Sequence, residues 1–483
     1  MSSIKHSLGI AFLTQYAELV IQFVGVMILA RLISSEEVGI YSVAAFLMAL
    51  LHVFRDFGVG KYIIQVDTLT PEKIRSAIGV AYLLGWLMGL LLLASSGALA
   101  AFYEEPRIRD ILIVMSASFA MTPLGSVLNA VFRRNMEMKK VAAVRITATV
   151  CHVVVSIALA AMGYGAMSLA WANFASIVSF GVVAVALRPA STPLMPSFRN
   201  LREILSFGSV ASLGSLATVG GNNASDVIIG KAISLAATGY FSRANGLINM
   251  FRTLVAGAVV PLVLPYFSQV RREKGDMIAP YWLATSHLTG FAWPFFAVMA
   301  LLALPLVRTL YGPDWDASVP VVQVLCVASA IATLATFAGE VMTAYGHIKT
   351  VTQLQLITQP VRVVAILLAC PFGLVAVASA LVLAEVIALV VTSRFLYATN
   401  GVTFRGVVRA TGKSALVTVA SSLVPLAVML AWPRGMYPAV ELVAGGAGAL
   451  AGWLIAIVWT GHPIKIHLQQ AQAQYWPNAP WAK

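Results

Sequence analysis

The sequence predicts an all-α polytopic membrane protein of about fourteen transmembrane helices: two parallel six-helix lobes around a central cavity, plus two extra C-terminal helices. Three observations predict it. Hydrophobic residues make up 59% of the chain and charged residues 11%, with a mean hydropathy of +0.86, whereas a soluble domain carries about 25% charge. The apolar runs are continuous over the roughly 20 residues that a spanning helix needs and lack the period-two alternation of a membrane barrel. One stretch also recurs 200 residues on: Ile28 to Ala45 reads ILARLISSEEVGIYSVAA and Ile228 to Asn245 reads IIGKAISLAATGYFSRAN. Without a gap, Ile28/Ile228, Ile33/Ile233, Ser34/Ser234, Gly39/Gly239, Ser42/Ser242 and Ala44/Ala244 are identical.

Spans are expected at about 9–30, 38–56, 77–101, 110–132, 141–162, 166–187, 206–230, 237–265, 280–307, 319–345, 350–370, 373–393, 411–431 and 437–460. The first carries Gln15, Glu18 and Gln22 and is too long for a signal core, so it is expected to stay in the membrane. The linkers are short and hold most of the charge. With both termini on one side, 23 of the 32 Lys and Arg fall there, six fall on the other side, and Arg243, Arg252 and Arg362 lie deeper. The positive-inside rule then puts both termini in the cytoplasm. The net charge of +13 thus reads as a topology signal with some attraction to anionic membrane lipids, not as nucleic-acid binding.

The repeat copies lie at the junctions of spans 1–2 and 7–8. Six spans separate them, an even number, so the copies point the same way and the repeat is parallel. The expected organisation is an N-terminal lobe over 1–200 (spans 1–6), a C-terminal lobe over 201–400 (spans 7–12), spans 13–14 over 401–460 and a cytoplasmic tail over 461–483.

Several chemistries are set aside. No GxxxxGK[ST] phosphate loop is present: Gly412-Lys413-Ser414 ends like one, but Val407 stands where the first Gly is required. HExxH, GxSxG and a cysteine pair are lacking, and Cys151, Cys326 and Cys370 sit singly in apolar segments. No enzyme, metal or cofactor is expected. A membrane-embedded glycan enzyme would be expected to have an outer loop of some size, and the longest here is about a dozen residues. Gly85xxxGly89 and Gly448xxxGly452 allow close helix contact.

A charged group at bilayer depth costs about 2.5–3.5 kcal/mol on insertion scales, so such groups face a protein interior or a wet cavity. Four segments share polar faces at helical spacing. These are Gln15, Glu18 and Gln22; Ser215, Asn222 and Asp226; Asn245, Asn249 and Arg252; and Gln355, Gln359 and Arg362. Asn222 follows Gln22 by 200 residues. Arg243 is about half a turn from the Arg252 face, so the two share a site only if the helix is kinked. Glu340 and Glu385 are single acids. Each face reads either as a structural seam between helices or as part of a shared cavity. The cations Arg252 and Arg362 suit an anionic substrate such as a phosphate. Glu18, Asp226 and Glu340 are either their counter-ions or sites for a coupling ion. His52, His152 and His287 read as hydrogen-bonded packing residues or as proton relays.

These residues also resemble a family. ILARLISSEEVGIYSVA after span 1, RDFGVGKYIIQ (Arg55 to Gln65), NNASDVIIGKAISLAATGYFSRANGL (Asn222 to Leu247) and PLVLPYFSQV (Pro261 to Val270) are similar, in that order, to motifs of the Wzx-type oligosaccharide flippases of the multidrug/oligosaccharidyl-lipid/polysaccharide superfamily. The resemblance implies a cavity that opens alternately to each side. It also implies a substrate of undecaprenyl pyrophosphate carrying an oligosaccharide repeat unit, moved to the outer leaflet for exopolysaccharide, capsule or O-antigen synthesis. A polysaccharide polymerase and export complex are candidate partners. Asp226 and Arg243 match motif positions, whereas Ser234 and Ala236 depart from the pattern's Gly and Glu. Lipid II flippases and drug/cation exporters share the architecture and stand as alternatives. The expected substrate contacts are Arg252, Arg362, Arg243, Asn222, Asn249, Gln359 and Gln22, with Glu18, Asp226 and Glu340 as coupling or counter-ion groups.

Overall fold

The computed structural model describes residues 2–466 apart from 57, 191, 200, 202–203, 205–218, 222, 254–256, 274, 432–434 and 436. The described residues form helices and no strands. The chain divides into two compact units, Met1–Ser242 and Arg243–Lys483.

Unit 1 holds α1 (Ser2–Leu29), α2 (Ser35–Asp56), the short α3 (Val59–Gln65), α4 (Pro71–Tyr103), α5 (Pro106–Arg134), α6 (Met138–Ala161), α7 (Ala166–Ala186), a helical stretch over 223–232 and the first half of α8 (Leu235–Phe251). Local signals fix the starts of these helices. Thr70 accepts a hydrogen bond from Lys73 N, with Pro71 behind it at the first helical position, where a missing N–H costs nothing. Glu105 caps α5 in the same way, again followed by Pro. The core of this unit joins Ile40, Val43 and Met48 of α2, Leu92 of α4, Ile108, Leu112 and Phe119 of α5, and Ala170 of α7.

Unit 2 holds the rest of α8, then α9 (Gly257–Arg272), α10 (Ile278–Leu301), α11 (Ala303–Leu310), α12 (Val319–Ala332), α13 (Ala338–Ala344), α14 (Ile348–Ala369), α15 (Leu374–Asn400), α16 (Phe404–Ala431) and α17 (Pro438–Thr460). Its core is built from Phe267, Tyr281, Leu288, Phe337, Val341 and Leu396.

Ten described helices are long and apolar enough to cross a membrane, or twelve if each of two bent pairs is one span. The expected spans at 206–230 and 237–265 run over residues outside the described set. The structure corrects the uniform rods that hydropathy suggests. The ninth span bends by 77° between α10 and α11. The tenth is interrupted by a 3-10 turn over Thr333–Ala335. Short α3, which was read as part of a linker, caps the junction after span 2, and Arg134 closes its C-terminal carbonyls with bonds of 2.7 Å to Ile63 O and 2.6 Å to Val66 O. Both GxxxG patterns are consumed inside the chain. A Cβ on Gly85 or Gly89 would meet the backbone of Phe119 or Ser116 in α5, and one on Gly452 would meet Ala420 O in α16.

Candidate substrate site

The repeat builds a matched pair of helix starts within unit 1. At the start of α2, Ser34 Oγ accepts from Glu37 N (3.3 Å), while Glu37 accepts from Ser34 N (3.0 Å). This is a complete capping box. At the start of α8, Ser234 Oγ accepts from Ala237 N (3.0 Å), and Ala237 has no carboxylate to return the bond. The two starts cross at their glycines. A Cβ on Gly39 would run into Leu235 O, and one on Gly239 would run into Ser35 O. One turn further on, Ser42 Oγ donates to Ser242 Oγ at 3.1 Å. Around this crossing, on the side away from the most basic linkers, Arg107 pairs with Glu36 (2.5 Å) and Lys231 with Glu104 (3.0 Å). The Arg107 guanidinium beside Glu105 also holds that carboxyl below the usual carboxylate range.

The polar face of α1 has one buried member. Glu18 is buried and pairs with Arg145 of α6 at 2.5 Å. Its partner in this unit is thus a cation on a neighbouring helix. Arg145 falls in the first turn of the expected span 141–162, which hides this pairing in the sequence. The signal was present, because a carboxylate in mid-span requires a cation on a neighbouring helix. Gln22, one turn along, is exposed. Asp226 is half-buried, and its carbonyl accepts from Thr238 Oγ1 (3.3 Å). Asn222 lies outside the described residues.

In unit 2 the structure gathers the second-half faces around α14 and α15. Arg362 Nη1 lies 3.3 Å from Glu385 Oε1. Gln359 Nε2 donates to Gln355 Oε1 at 3.4 Å. Arg252 is exposed and lies within electrostatic range of both Arg362 and Glu385. It sits in a π-turn at Arg252–Thr253, just after α8 ends. Such turns re-aim side chains and recur at functional sites. Asn249, on the last turn of α8, is exposed. Arg362 Nε and Gln359 Oε1 are buried without a hydrogen-bond partner among the described residues.

Arg243 has different surroundings. Its guanidinium stacks over Tyr311 (5.9 Å) and Trp315 (5.4 Å), and both rings are buried. This anchors α8 to the turn that follows α11. Glu340, on α13 just past the 3-10 interruption, keeps Oε2 buried and without a partner among the described residues. Its placement at a break in a span went unread, because hydropathy does not register a 3-10 turn. His52 packs on Phe119 with ring centroids 4.9 Å apart, and His287 bonds Leu283 O at 2.7 Å; both have packing partners.

Among the described residues no three His, Cys, Asp or Glu side chains come together in a way that could hold a metal. The arrangement offers two arginines, one of them with a buried unpartnered Nε, beside a single carboxylate. Such a set can take an anion by charge and by the planar donor fork of arginine.

The model of the polysaccharide biosynthesis protein family matches residues 28–320, a range that contains all four motifs quoted above. The chain is similar to the succinoglycan biosynthesis transport protein ExoT of Rhizobium meliloti (strain 1021), 24% identical over 337 residues, covering 68% of this chain and 67% of that protein. It is similar to the teichuronic acid biosynthesis protein TuaB of Bacillus subtilis (strain 168), 19% identical with 68% of each covered. A third relative is the lipopolysaccharide biosynthesis protein WzxC of Escherichia coli (strain K12), 18% identical with 66% of each covered. In fold, the lipid II flippase MurJ in its inward closed conformation aligns with a TM-score of 0.74 at 13% identity, covering 93% of this chain and 98% of that one. An inward-facing multidrug resistance MATE family transporter aligns at 0.65 and 15% identity, covering 82% and 94%.

Proposed function

Because the chain belongs to the polysaccharide biosynthesis protein family, as a multi-pass transport protein of the Wzx flippase type, we propose that it moves undecaprenyl-pyrophosphate-linked oligosaccharide repeat units from the inner to the outer leaflet of a bacterial inner membrane. The observation that carries this reading is the group of Arg252, just past the end of α8, with Arg362 and Glu385 on α14 and α15: cations with open donors suit a pyrophosphate. Movement is by alternating access between lobes 1–200 and 201–400, with both termini cytoplasmic. The sugars cross in a wet space while the pyrophosphate is held by charge and the prenyl tail stays in lipid. The product feeds the assembly of an exopolysaccharide, capsule or O-antigen.

Deletion followed by analysis of lipid-linked sugars tests the reading. Complete repeat units are expected to accumulate on the cytoplasmic leaflet. Incomplete glycans would point to an enzyme instead, and unchanged lipid-linked sugars with altered drug resistance would point to a drug or cation exporter.

A further inference from the structure

The ion pair inside the proposed site is built loosely. Arg362 and Glu385 meet through one contact, Nη1 to Oε1 at 3.3 Å, which is longer than the roughly 2.7–2.9 Å of a charge-assisted bond. Elsewhere in the same unit the chain builds a full fork: Arg308 binds Asp316 through Nε to Oδ1 at 3.0 Å and Nη2 to Oδ2 at 2.7 Å. Arg362 therefore spends only part of its donor set on Glu385, and its Nε stays buried and unpartnered among the described residues. Gln359 Oε1, on the preceding turn of α14, is left in the same state. Arg252 brings a second cation within range of both, so the three groups together leave one positive charge uncompensated.

Each simpler arrangement fails on physical grounds. Without the carboxylate, two uncompensated arginines would sit at bilayer depth in the empty protein, at about 2.5–3.5 kcal/mol each. With a tight two-point pair, Arg362 would be neutralised and its donors closed to an anion. A single weak contact avoids both.

We propose that Glu385 is a built-in competitor for the anionic head of the substrate. It holds Arg362 while the site is empty and yields it, by ion-pair exchange, to phosphate oxygens of a prenyl pyrophosphate. The returning carboxylate then helps to expel the head on the far side, so binding stays weak enough for release. This rests on the reading of the Arg252–Arg362 group as the pyrophosphate site.

The full-length protein in detergent, titrated calorimetrically with farnesyl pyrophosphate, tests the exchange. Glu385→Gln keeps the shape and a hydrogen bond but removes the competing charge. It is expected to bind roughly tenfold tighter than wild type and to release the ligand more slowly, while Arg362→Ala binds at least roughly tenfold more weakly. Wild-type binding with Glu385→Gln unchanged or weaker overturns the exchange and leaves the anion site standing. Absence of binding by both overturns the anion site, and the exchange with it. A measurement on the wild-type protein covers the case of a variant that does not fold. Carbodiimide modification of Glu385, read by mass spectrometry, is expected to rise severalfold when farnesyl pyrophosphate binds. Unchanged modification at a ligand concentration where calorimetry shows saturation overturns the proposal.

Discussion

Ser42 and Ser242, exactly one repeat apart in the sequence, are hydrogen-bonded to each other at 3.1 Å. The bond joins the two copies of the motif at the same repeat position. The same crossing brings Gly39 against Leu235 and Gly239 against Ser35. If transport requires these helix starts to part, tying them together stops it. The double variant Ser42→Cys, Ser242→Cys is expected to form a disulfide in oxidised membranes, to lose export, and to regain it with reductant. Export by the cross-linked protein at the wild-type rate would show that the crossing stays closed throughout the cycle.

The glycines at the crossing have no room for a side chain. Gly39→Val or Gly239→Val pushes a branched carbon into backbone carbonyls that cannot rotate away, so the helices must separate. A loss of about 1–3 kcal/mol is expected, the range for overpacked sites, seen as a lower melting temperature in detergent. Gly97→Val serves as the control, since a Cβ there meets nothing within 4 Å, and it should melt within a degree or two of wild type.

The Glu18–Arg145 pair is a structural tie between α1 and α6, with the carboxylate largely buried and the arginine partly open. Glu18→Gln is expected to destabilise unit 1 by about 1–3 kcal/mol by leaving a cation without its partner. The exchange Glu18→Arg, Arg145→Glu should recover most of that loss. If the single variant melts like wild type but loses proton- or sodium-dependent transport, Glu18 is a coupling group after all.

Much of this was legible from residue patterns. The class, the family and most span positions follow from long apolar runs and from motifs whose residues are local in sequence. The Gln355–Gln359–Arg362 face was readable for the same reason, because helical spacing alone puts those side chains together. What could not be read depends on neighbours far along the chain. Arg145 lies 127 residues from Glu18, and only the packing of α6 on α1 joins them. Arg243 looked like a cavity residue because of its motif, yet Tyr311 and Trp315 arrive from a turn some seventy residues later. The breaks at Arg252–Thr253 and Thr333–Ala335 are set by tertiary packing, to which a hydropathy window is blind.

The arginines of unit 2 give a functional test of the proposed site. Arg252→Ala or Arg362→Ala is expected to abolish export, by at least about a hundredfold, while the protein remains in the membrane at near wild-type amount. Arg252→Lys keeps the charge but loses the fork, and should retain partial activity. Normal export by both alanine variants would remove the cationic-site argument.

His462, just past the end of α17, makes stability depend on pH. It is 1% exposed. Its Nδ1 accepts from Ile464 N at 3.3 Å, so the ring proton sits on Nε2, 3.1 Å from Ser414 Oγ. A second proton on Nδ1 would set two donors against each other. Burial, with His287 and Lys413 nearby, lowers the imidazole to about 4, from an ordinary value of roughly 6.5. The unfolded chain therefore binds this proton first as pH falls. The contribution of the neutral ring is complete above about pH 6.5 and is lost progressively toward pH 4, by roughly 1–3 kcal/mol. Melting temperatures of wild type and His462→Phe should thus converge as pH falls from 7.5 to 4.5, after subtraction of the trend common to both. A constant gap between the two curves would mean that the ring titrates in the folded protein as it does in the unfolded chain.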